Sequence, residues 1–175
     1  TLTIGRTDGD MTYVKYKEQV FKVSSDIISF ANDSSYNIVS KLQALVDISE
    51  VKSVTVEYNG AEHTIDITHN DSDMTFVLDG QKVDTKITQA IYKSIVGLAV
   101  DGVYKDETLG DTIMKIKYKC IKSSSDTEIE FKSIDDLYCA LIRNGKTEFT
   151  IKKSKLNEFM DLFNTYVENP EKQGD

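Results

Sequence analysis

Two histidines are the side chains in this sequence best suited to bind a metal or to act as a general base near neutral pH. His63 and His69 share a strand-like segment and have the same parity as Ile65 and Ile67, so they face one side. Six residues of extended chain, about 20 Å, separate them, and a single zinc ion cannot bind both. We therefore predict no metal site and interpret both rings as strand-end groups that close the edges of the core.

Motifs for nucleophilic catalysis or cofactor binding are missing from the sequence. It contains no Gly-x-Ser-x-Gly, no Ser-x-x-Lys with its supporting motifs and no glycine-rich phosphate loop. We therefore predict no catalytic residue and no cofactor, and we expect the protein not to be an enzyme. The least favoured alternative is a small hydrolase, which would place His63 or His69 beside a serine or beside Cys139.

The two cysteines, Cys120 and Cys139, lack the C-x-x-C spacing of a zinc or redox site. Both lie in strand-like segments, which allows a single disulfide between neighbouring strands. The other interpretation is a pair of small, half-buried apolar side chains with no bond between them. The sequence leaves both interpretations open.

Tyrosine is the most frequent aromatic residue, with nine copies, and tryptophan is absent. Five tyrosines lie in or beside predicted strands: Tyr13, Tyr16, Tyr58, Tyr104 and Tyr118. Because tyrosine offers both stacking area and a hydroxyl, these five form a candidate binding face for a glycan or a protein partner. The alternative is that they only reflect the high β-propensity of tyrosine.

Lys115, Lys117 and Lys119 occupy every second position of one strand-like run. This alternation predicts a solvated face of a sheet, because side chains two residues apart point to the same side. It fits equally well an edge strand whose lysines resist aggregation.

The composition is that of a folded globular protein. Of the 175 residues, 39% are hydrophobic, 29% are charged, nine are glycine and one is proline, which excludes collagen-like and largely disordered chains. A net charge of −8 disfavours nonspecific nucleic-acid binding, which requires excess cations. No apolar stretch approaches the roughly 20 residues of a membrane span, so we predict no membrane insertion.

Turn dipeptides flanked by alternating residues predict antiparallel hairpins. Asn59-Gly60, Asp79-Gly80 and Asn144-Gly145 each lie between two strand-like runs. Asn-Gly and Asp-Gly supply the positive φ angles that a type I′ turn requires. A fourth hairpin turns at Lys17-Glu18.

An internal repeat organises these hairpins. Tyr13, Phe76 and Tyr138 begin three corresponding hairpins, 63 and 62 residues apart, and each hairpin leads into a helical pattern. The second and third copies have a further strand pair before the hairpin. We therefore predict an α+β fold of antiparallel hairpins or meanders each followed by a helix, in about three β-β-β-β-α repeats of which the first is truncated.

The predicted domain organisation follows this repeat. Residues 1–50 form the truncated first unit with a linking helix over 36–46, residues 51–105 form the second unit, and residues 106–175 form the third unit and a polar tail. Together they make one or two compact domains. The truncated first copy and the missing initial methionine predict that a leader or anchor has been removed from the chain.

Seven segments match the pattern of a known family: Thr1-Leu2-Thr3-Ile4-Gly5 with Thr12-Tyr13-Val14-Lys15, Val20-Phe21-Lys22-Val23, Val51-Lys52-Ser53-Val54-Thr55-Val56 with Asn59-Gly60, and Leu137-Tyr138-Cys139-Ala140 with Asn144-Gly145-Lys146-Thr147. Through these segments the sequence resembles the domain of unknown function number 4340, found in bacterial envelope proteins. The likeness spans nearly the whole chain.

The resemblance implies a function and a location. Members of the family carry an N-terminal membrane helix, expose this domain outside the cytoplasm and are often encoded beside transporters of the ATP-binding-cassette type. It therefore implies a non-catalytic, extracytoplasmic module of a membrane-anchored envelope protein that binds a protein partner, a component of such a transporter. The alternative is a ligand-binding domain for a glycan or a cell-wall fragment.

Overall fold

The computed structural model describes residues 1–70 and 73–170. By its internal contacts the chain divides into two compact parts, Thr1–Ser40 and Lys41–Asp175, which are called unit 1 and unit 2 below. The predicted segments 51–105 and 106–175 therefore both fall within unit 2. The end of the predicted polar tail, 171–175, lies outside the described residues.

Unit 1 is a three-stranded antiparallel sheet in which the second strand lies in the middle. Its strands are β1 (Leu2–Asp8), β2 (Met11–Tyr16) and β3 (Gln19–Ser24). The chain then continues as a 3-10 helix, Ser25–Asn32, and a single α-helical turn, α1 (Ser35–Ile38). An eight-residue segment between extended residues gains too few hydrogen bonds to offset helix nucleation, which accounts for the absence of the predicted α-helix.

Unit 2 contains nine strands and two longer helices among its described residues. The first strands are β4 (Val51–Tyr58), β5 (Ala61–Asn70), β6 (Asp73–Leu78) and β7 (Gln81–Val83), followed by helix α2 (Thr85–Val96). The others are β8 (Gly102–Val103), β9 (Thr112–Cys120), β10 (Thr127–Ser133), β11 (Tyr138–Arg143) and β12 (Lys146–Lys152), followed by helix α3 (Lys153–Glu168). No described helix has the length and apolar composition needed to cross a bilayer.

All nine strands of unit 2 form one antiparallel sheet, in the order β7-β6-β5-β4-β9-β10-β11-β12-β8. The predicted turns at Asn59-Gly60, Asp79-Gly80 and Asn144-Gly145 are confirmed, since both residues of each pair have positive φ angles. These turns join β4 to β5, β6 to β7 and β11 to β12. The local turn chemistry thus sets the register of three hairpins.

The predicted α+β fold of three β-β-β-β-α repeats is wrong. The described part of the chain is mostly β, with 46% of its residues in strands, two antiparallel sheets and few helices. The physical reason is the pairing of β4 with β9, which places the strands of the predicted second and third repeats in one continuous sheet. In the predicted first repeat, the sheet is followed by a 3-10 helix and one helical turn.

One face of the nine-stranded sheet carries the core of unit 2. Alternate residues of the two central strands are buried on this face: Val54, Val56, Tyr58, Met114, Ile116 and Tyr118. The helices bury one stripe each, at helical spacing: Ile87, Ile91 and Ile95 of α2, and Leu156, Phe159 and Phe163 of α3. Each helix reaches a central strand, because Tyr92 of α2 meets Tyr118 edge to face and Phe163 meets Tyr58 in the same way.

The first residues of unit 2, 41–47, form an irregular segment that we call the strap. The Tyr118 hydroxyl donates to the carbonyl of Ala44 at 2.9 Å, and the Tyr92 hydroxyl donates to the carbonyl of Val46. Burial raises the pKa of both phenols, that of Tyr92 to about 12, so both remain protonated donors at neutral pH. The strap is therefore fixed to the core by side chains of α2 and β9.

Two more donors bind carbonyl groups of the strap. The Arg143 guanidinium of β11 donates to the carbonyl of Gln43, and the N–H of Val100 donates to the carbonyl of Lys41 at 3.0 Å. Where the sequence predicts a linking helix over 36–46, the structure has only the turn of α1 and then the strap. Carbonyl groups that accept hydrogen bonds from the rest of unit 2 satisfy this backbone without helix formation.

We expect Tyr118→Phe to lower the free energy of unfolding of unit 2 by about 1–3 kcal/mol, because the Ala44 carbonyl would stay buried without its donor. Denaturation in urea measures this change. Tyr138→Phe, at a half-buried position of β11, is the matched control and should change the free energy by less than about 0.5 kcal/mol. An equally small effect for Tyr118→Phe would show that the strap is not stabilised by this hydrogen bond.

An ion pair connects α3 to the chain that follows α2. Lys155 Nζ lies 2.8 Å from Asp101 Oδ1 and also donates to the carbonyl of Ala99. The other carboxylate oxygen of Asp101 accepts a hydrogen bond from the N–H of Lys152 at the start of α3. Burial by itself would raise the pKa of Asp101, but these donors outweigh burial and hold the pKa below its ordinary value of 3.8.

We expect Asp101→Asn to lower the free energy of unfolding by about 1 kcal/mol at neutral pH, through loss of the ion pair. Because the pKa of Asp101 is lower in the folded chain than in the unfolded chain, ionised Asp101 stabilises the fold. This stabilisation is complete above about pH 5 and is lost as the pH falls through the folded pKa. In urea denaturation between about pH 7 and pH 2, the free energies of unfolding of the wild-type chain and of Asp101→Asn should therefore become equal at low pH. Asp161→Asn, an exposed position of α3, is the control, and a difference for Asp101→Asn that is independent of pH would contradict the prediction.

Candidate interaction surface

Within each unit, the tyrosines of the predicted binding face do not share one exposed surface. In unit 2, Tyr58 and Tyr118 are buried, and Tyr104 lies on the loop that follows β8. In unit 1, Tyr13 and Tyr16 are three residues apart on β2, so they lie on opposite faces of the sheet. Neither unit therefore presents a set of these rings as an exposed stacking platform.

The face of the unit 1 sheet that carries Tyr13 is charged. The Arg6 guanidinium and the Lys22 ammonium lie 5.6 and 5.4 Å from the centre of the Tyr13 ring. Lys22 also forms an ion pair with Asp8 at 2.8 Å. The ring of Tyr13 is thus in cation–π contact with two cations of its own sheet.

The opposite face of the same sheet is apolar and largely exposed. Strand register places Leu2 beside Tyr16, and Val14 between Ile4 and Phe21. The exposed fractions are 48% for Leu2, 42% for Ile4, 50% for Tyr16 and 44% for Phe21, whereas Val14 at the centre is only 5% exposed. These five residues are called the apolar face of unit 1.

The 3-10 helix begins at the polar end of this face. There the hydroxyls of Thr12 and Ser25 lie 2.9 Å apart. Of the helix residues, Ile28 is buried, but Ile27 and Phe30 are exposed. Side chains of a 3-10 helix eclipse each other at every third position, so this segment cannot present the broad apolar stripe of an α-helix.

The apolar face of unit 1 is large enough to be an interaction surface. An aromatic side chain buries about 150–250 Å² when it is fully enclosed, so the four exposed residues together leave on the order of 350–400 Å² open to water. The largest apolar patches on soluble monomers are about 300–600 Å² and are often functional. An exposed apolar area of this size lies within the range of patches that bind a partner.

The sequence did not reveal this surface, because the apolar residues of the unit 1 strands are typical of any buried sheet. One signal was available. The apolar strands are followed by the segment 25–32, which ends at Asp33-Ser34 and is too short to bury an apolar face against an α-helical stripe. An apolar strand face with no amphipathic helix after it is the pattern that predicts an exposed surface here.

The solvated face of the nine-stranded sheet carries the three alternating lysines. Because β9 lies between β4 and β10, the prediction of a solvated face is confirmed and that of an edge strand is wrong. Each lysine forms an ion pair with a nearby carboxylate: Lys115 with Glu130, Lys117 with Glu57 and Lys119 with Asp126. The hydrogen bond from Lys117 lowers the pKa of Glu57, and Glu57 raises the pKa of Lys117, so this pair stays ionised at neutral pH.

A shallow pocket of about 390 Å³ opens beside the turn at Asn59-Gly60. Glu57, Glu62 and Lys115 are among the residues that line it, and the two glutamates lie directly opposite each other on β4 and β5. Across the described ranges, 1–70 and 73–170, no group of three or more His, Cys, Asp or Glu residues is placed to hold a metal ion. The pocket is a recess beside the ion pairs that Lys115 and Lys117 form on the solvated face.

The histidines and Cys139 are far apart. His63 Nδ1 lies 2.7 Å from Asp79 Oδ2, and His69 Nε2 lies 2.7 Å from the carbonyl oxygen of Val51. Both histidines are on β5, whereas Cys139 is on β11, four strands away and therefore about 19 Å distant. The sheet does not bring these groups together as a nucleophile and its base.

Both cysteines are buried free thiols. Cys120 on β9 and Cys139 on β11 are separated by β10. Burial raises the pKa of both thiols, that of Cys139 to about 11. Of the two interpretations that the sequence left open, the structure supports unbonded, apolar-like side chains.

We expect Phe21→Thr to remove exposed apolar area with little effect on stability, a change of less than about 1 kcal/mol, because nearly half of the side chain already contacts water. Fluorescence of a dye that binds exposed apolar surface should fall in this variant. Val14→Ala, at the buried centre of the same face, is the contrasting substitution and should lower the free energy of unfolding of unit 1 by about 1–3 kcal/mol. Equal losses for both variants would mean that Phe21 is part of the core.

Comparison with protein-family models, with curated proteins and with solved structures finds no match to this chain. The resemblance to the domain of unknown function number 4340 therefore stays a prediction that rests on the quoted segments. Among the surfaces described above, the apolar face of unit 1 is the strongest candidate for a functional site.

Proposed function

We propose that this chain is a protein-interaction module that binds a protein partner through the apolar face of unit 1. The observation that carries the proposal is the exposure of Leu2, Ile4, Tyr16 and Phe21 on one side of one sheet. If all of this surface counted as apolar, removing about 350–400 Å² from water would contribute at most about 9–10 kcal/mol, against which association and side-chain ordering must be set. After these costs, we expect the remaining binding free energy to give a complex of modest affinity, which suits an adaptor.

The resemblance supplies the setting of this proposal. It supports a non-catalytic, extracytoplasmic module of a membrane-anchored bacterial envelope protein, whose partner is a component of an ABC-type transporter. An apolar face on a small sheet suits this role, because the anchored chain needs only a weak contact to stay beside a protein in the same membrane.

The tyrosine placements favour a protein partner over a glycan or a cell-wall fragment. A carbohydrate site needs exposed aromatic rings over a groove. Tyr58 and Tyr118 are buried, and the ring of Tyr13 is in contact with Arg6 and Lys22. Of the five tyrosines, Tyr16 is the one on the apolar face of unit 1, where its neighbours are aliphatic or phenyl side chains.

Site-specific photo-crosslinking in cells tests the proposal. Benzoylphenylalanine replaces Phe21 in the full-length membrane protein, and the captured proteins are identified by mass spectrometry. We expect a transporter component to be captured, because the side chain at position 21 points into the contact. Replacement of Lys15, which lies on the opposite face of the same sheet, is the matched control.

The outcome depends on the difference between the two positions. Capture of a transporter component from position 21 and not from position 15 supports the proposal. Equal capture from both positions, or no protein captured from position 21, would overturn it. Capture of a different protein would retain the interaction role and remove the transporter as the partner.

A further inference from the structure

The proposed function leaves open what kind of structure covers the apolar face of unit 1. We propose that its occupant is one amphipathic α-helix of the partner, packed against β1, β2 and β3. This inference rests on the proposed function and adds the structural class of the bound segment. Three properties of the face, its width, its area and its edges, support it.

The width of the face matches one helix. Neighbouring strands lie about 4.8 Å apart, so the outer strands of unit 1 are separated by about 10 Å. An α-helix with its side chains is about 10–12 Å across, and two packed helices need a further 8–10 Å between their axes. A single helix therefore covers the three strands, and a pair would overhang them.

The area of the face argues against a second copy or a large folded partner. A stable complex buries about 800 Å² on each partner, about twice what Leu2, Ile4, Tyr16 and Phe21 expose. A short amphipathic segment, with three to four apolar residues per two turns, buries an area of the observed size. The face is thus suited to one segment.

Unit 2 contains the proposed arrangement within this same chain. There, α2 contacts β6 and α3 contacts β12, and both lay an apolar stripe on alternating strand residues. The stripe of α3 consists of Leu156, Phe159 and Phe163, a spacing of three and four residues. In unit 1 the alternating strand residues are present, and the following segment is a 3-10 helix.

The edges of the unit 1 sheet are less suited to an added strand. A bulge between Ile4 and Thr7 shifts the register of β1, which interrupts the regular spacing of its backbone groups. The other edge strand, β3, carries Lys22, a charged side chain of the kind that discourages pairing with an added strand. The apolar residues point out of the sheet plane, where a helix binds, and not along its edge.

Two synthetic peptides test the inference with the purified chain. Both have 14 residues, four of them Leu, and the same content of Glu and Lys with zero net charge; one has Leu at i, i+3, i+4 and i+7, and the other at i, i+2, i+4 and i+6. NMR spectra of the labelled chain are recorded with each peptide. We expect the helical isomer to shift the side-chain signals of Leu2, Ile4, Tyr16 and Phe21, and the alternating isomer to leave them unchanged.

Variants of the chain connect these shifts to the face. Phe21→Thr should weaken binding of the helical isomer by about fivefold, as for a contact residue of the interface, and Lys15→Thr should leave it unchanged. A preference for the alternating isomer, shifts with neither peptide, or shifts produced by anionic lipid vesicles instead would each overturn the inference. If crosslinking from position 21 captures a protein and the helical isomer does not bind, the proposed function stands and the helix is wrong. If crosslinking captures no protein, the proposed function itself fails.

Discussion

The pairing of β4 with β9 is the interaction on which unit 2 depends. It joins strands that are about sixty residues apart in the chain, and it places Val56 opposite Ile116 at its centre. Without it the strands on either side would form separate sheets with exposed edges. Because side chains alternate along a strand, the register of this one pair also decides which residues of both sheet halves enter the core.

The same register explains why side chains that look functional in the sequence are structural in the fold. Tyr58 and Tyr118 fall on the core face of the central strands, where their hydroxyls donate to Asn164 and to the Ala44 carbonyl. Lys117 falls on the solvated face, opposite Glu128 of β10 and paired with Glu57 of β4. The tyrosines thus hold the strap and a helix to the sheet, and the lysines neutralise acidic neighbours.

The two units solve the problem of an apolar sheet face in different ways. In unit 2 the face is covered by α2 and α3, whose stripes match the alternating strand residues. In unit 1 the segment after β3 is a 3-10 helix, and the side chains of Tyr16 and Phe21 stay about half exposed. A folded chain keeps such a surface open at the risk of aggregation, and a partner that covers it removes that risk. The proposed interaction role follows from this contrast.

Local features of this protein follow from short stretches of its sequence. The turns at Asn59-Gly60 and Asn144-Gly145 were predictable because positive φ angles are a property of those residues alone. The mostly β fold was not predictable, because the alternation of apolar and polar residues along a strand does not depend on which strand it pairs with. The local patterns therefore suggested separate repeats. The candidate surface was not predictable for a related reason. Phe21 and Phe76 have the same sequence pattern of a strand residue, although only Phe76 is buried. Only the tertiary structure decides whether another element covers such a side chain, since burial depends on residues that are distant in the chain.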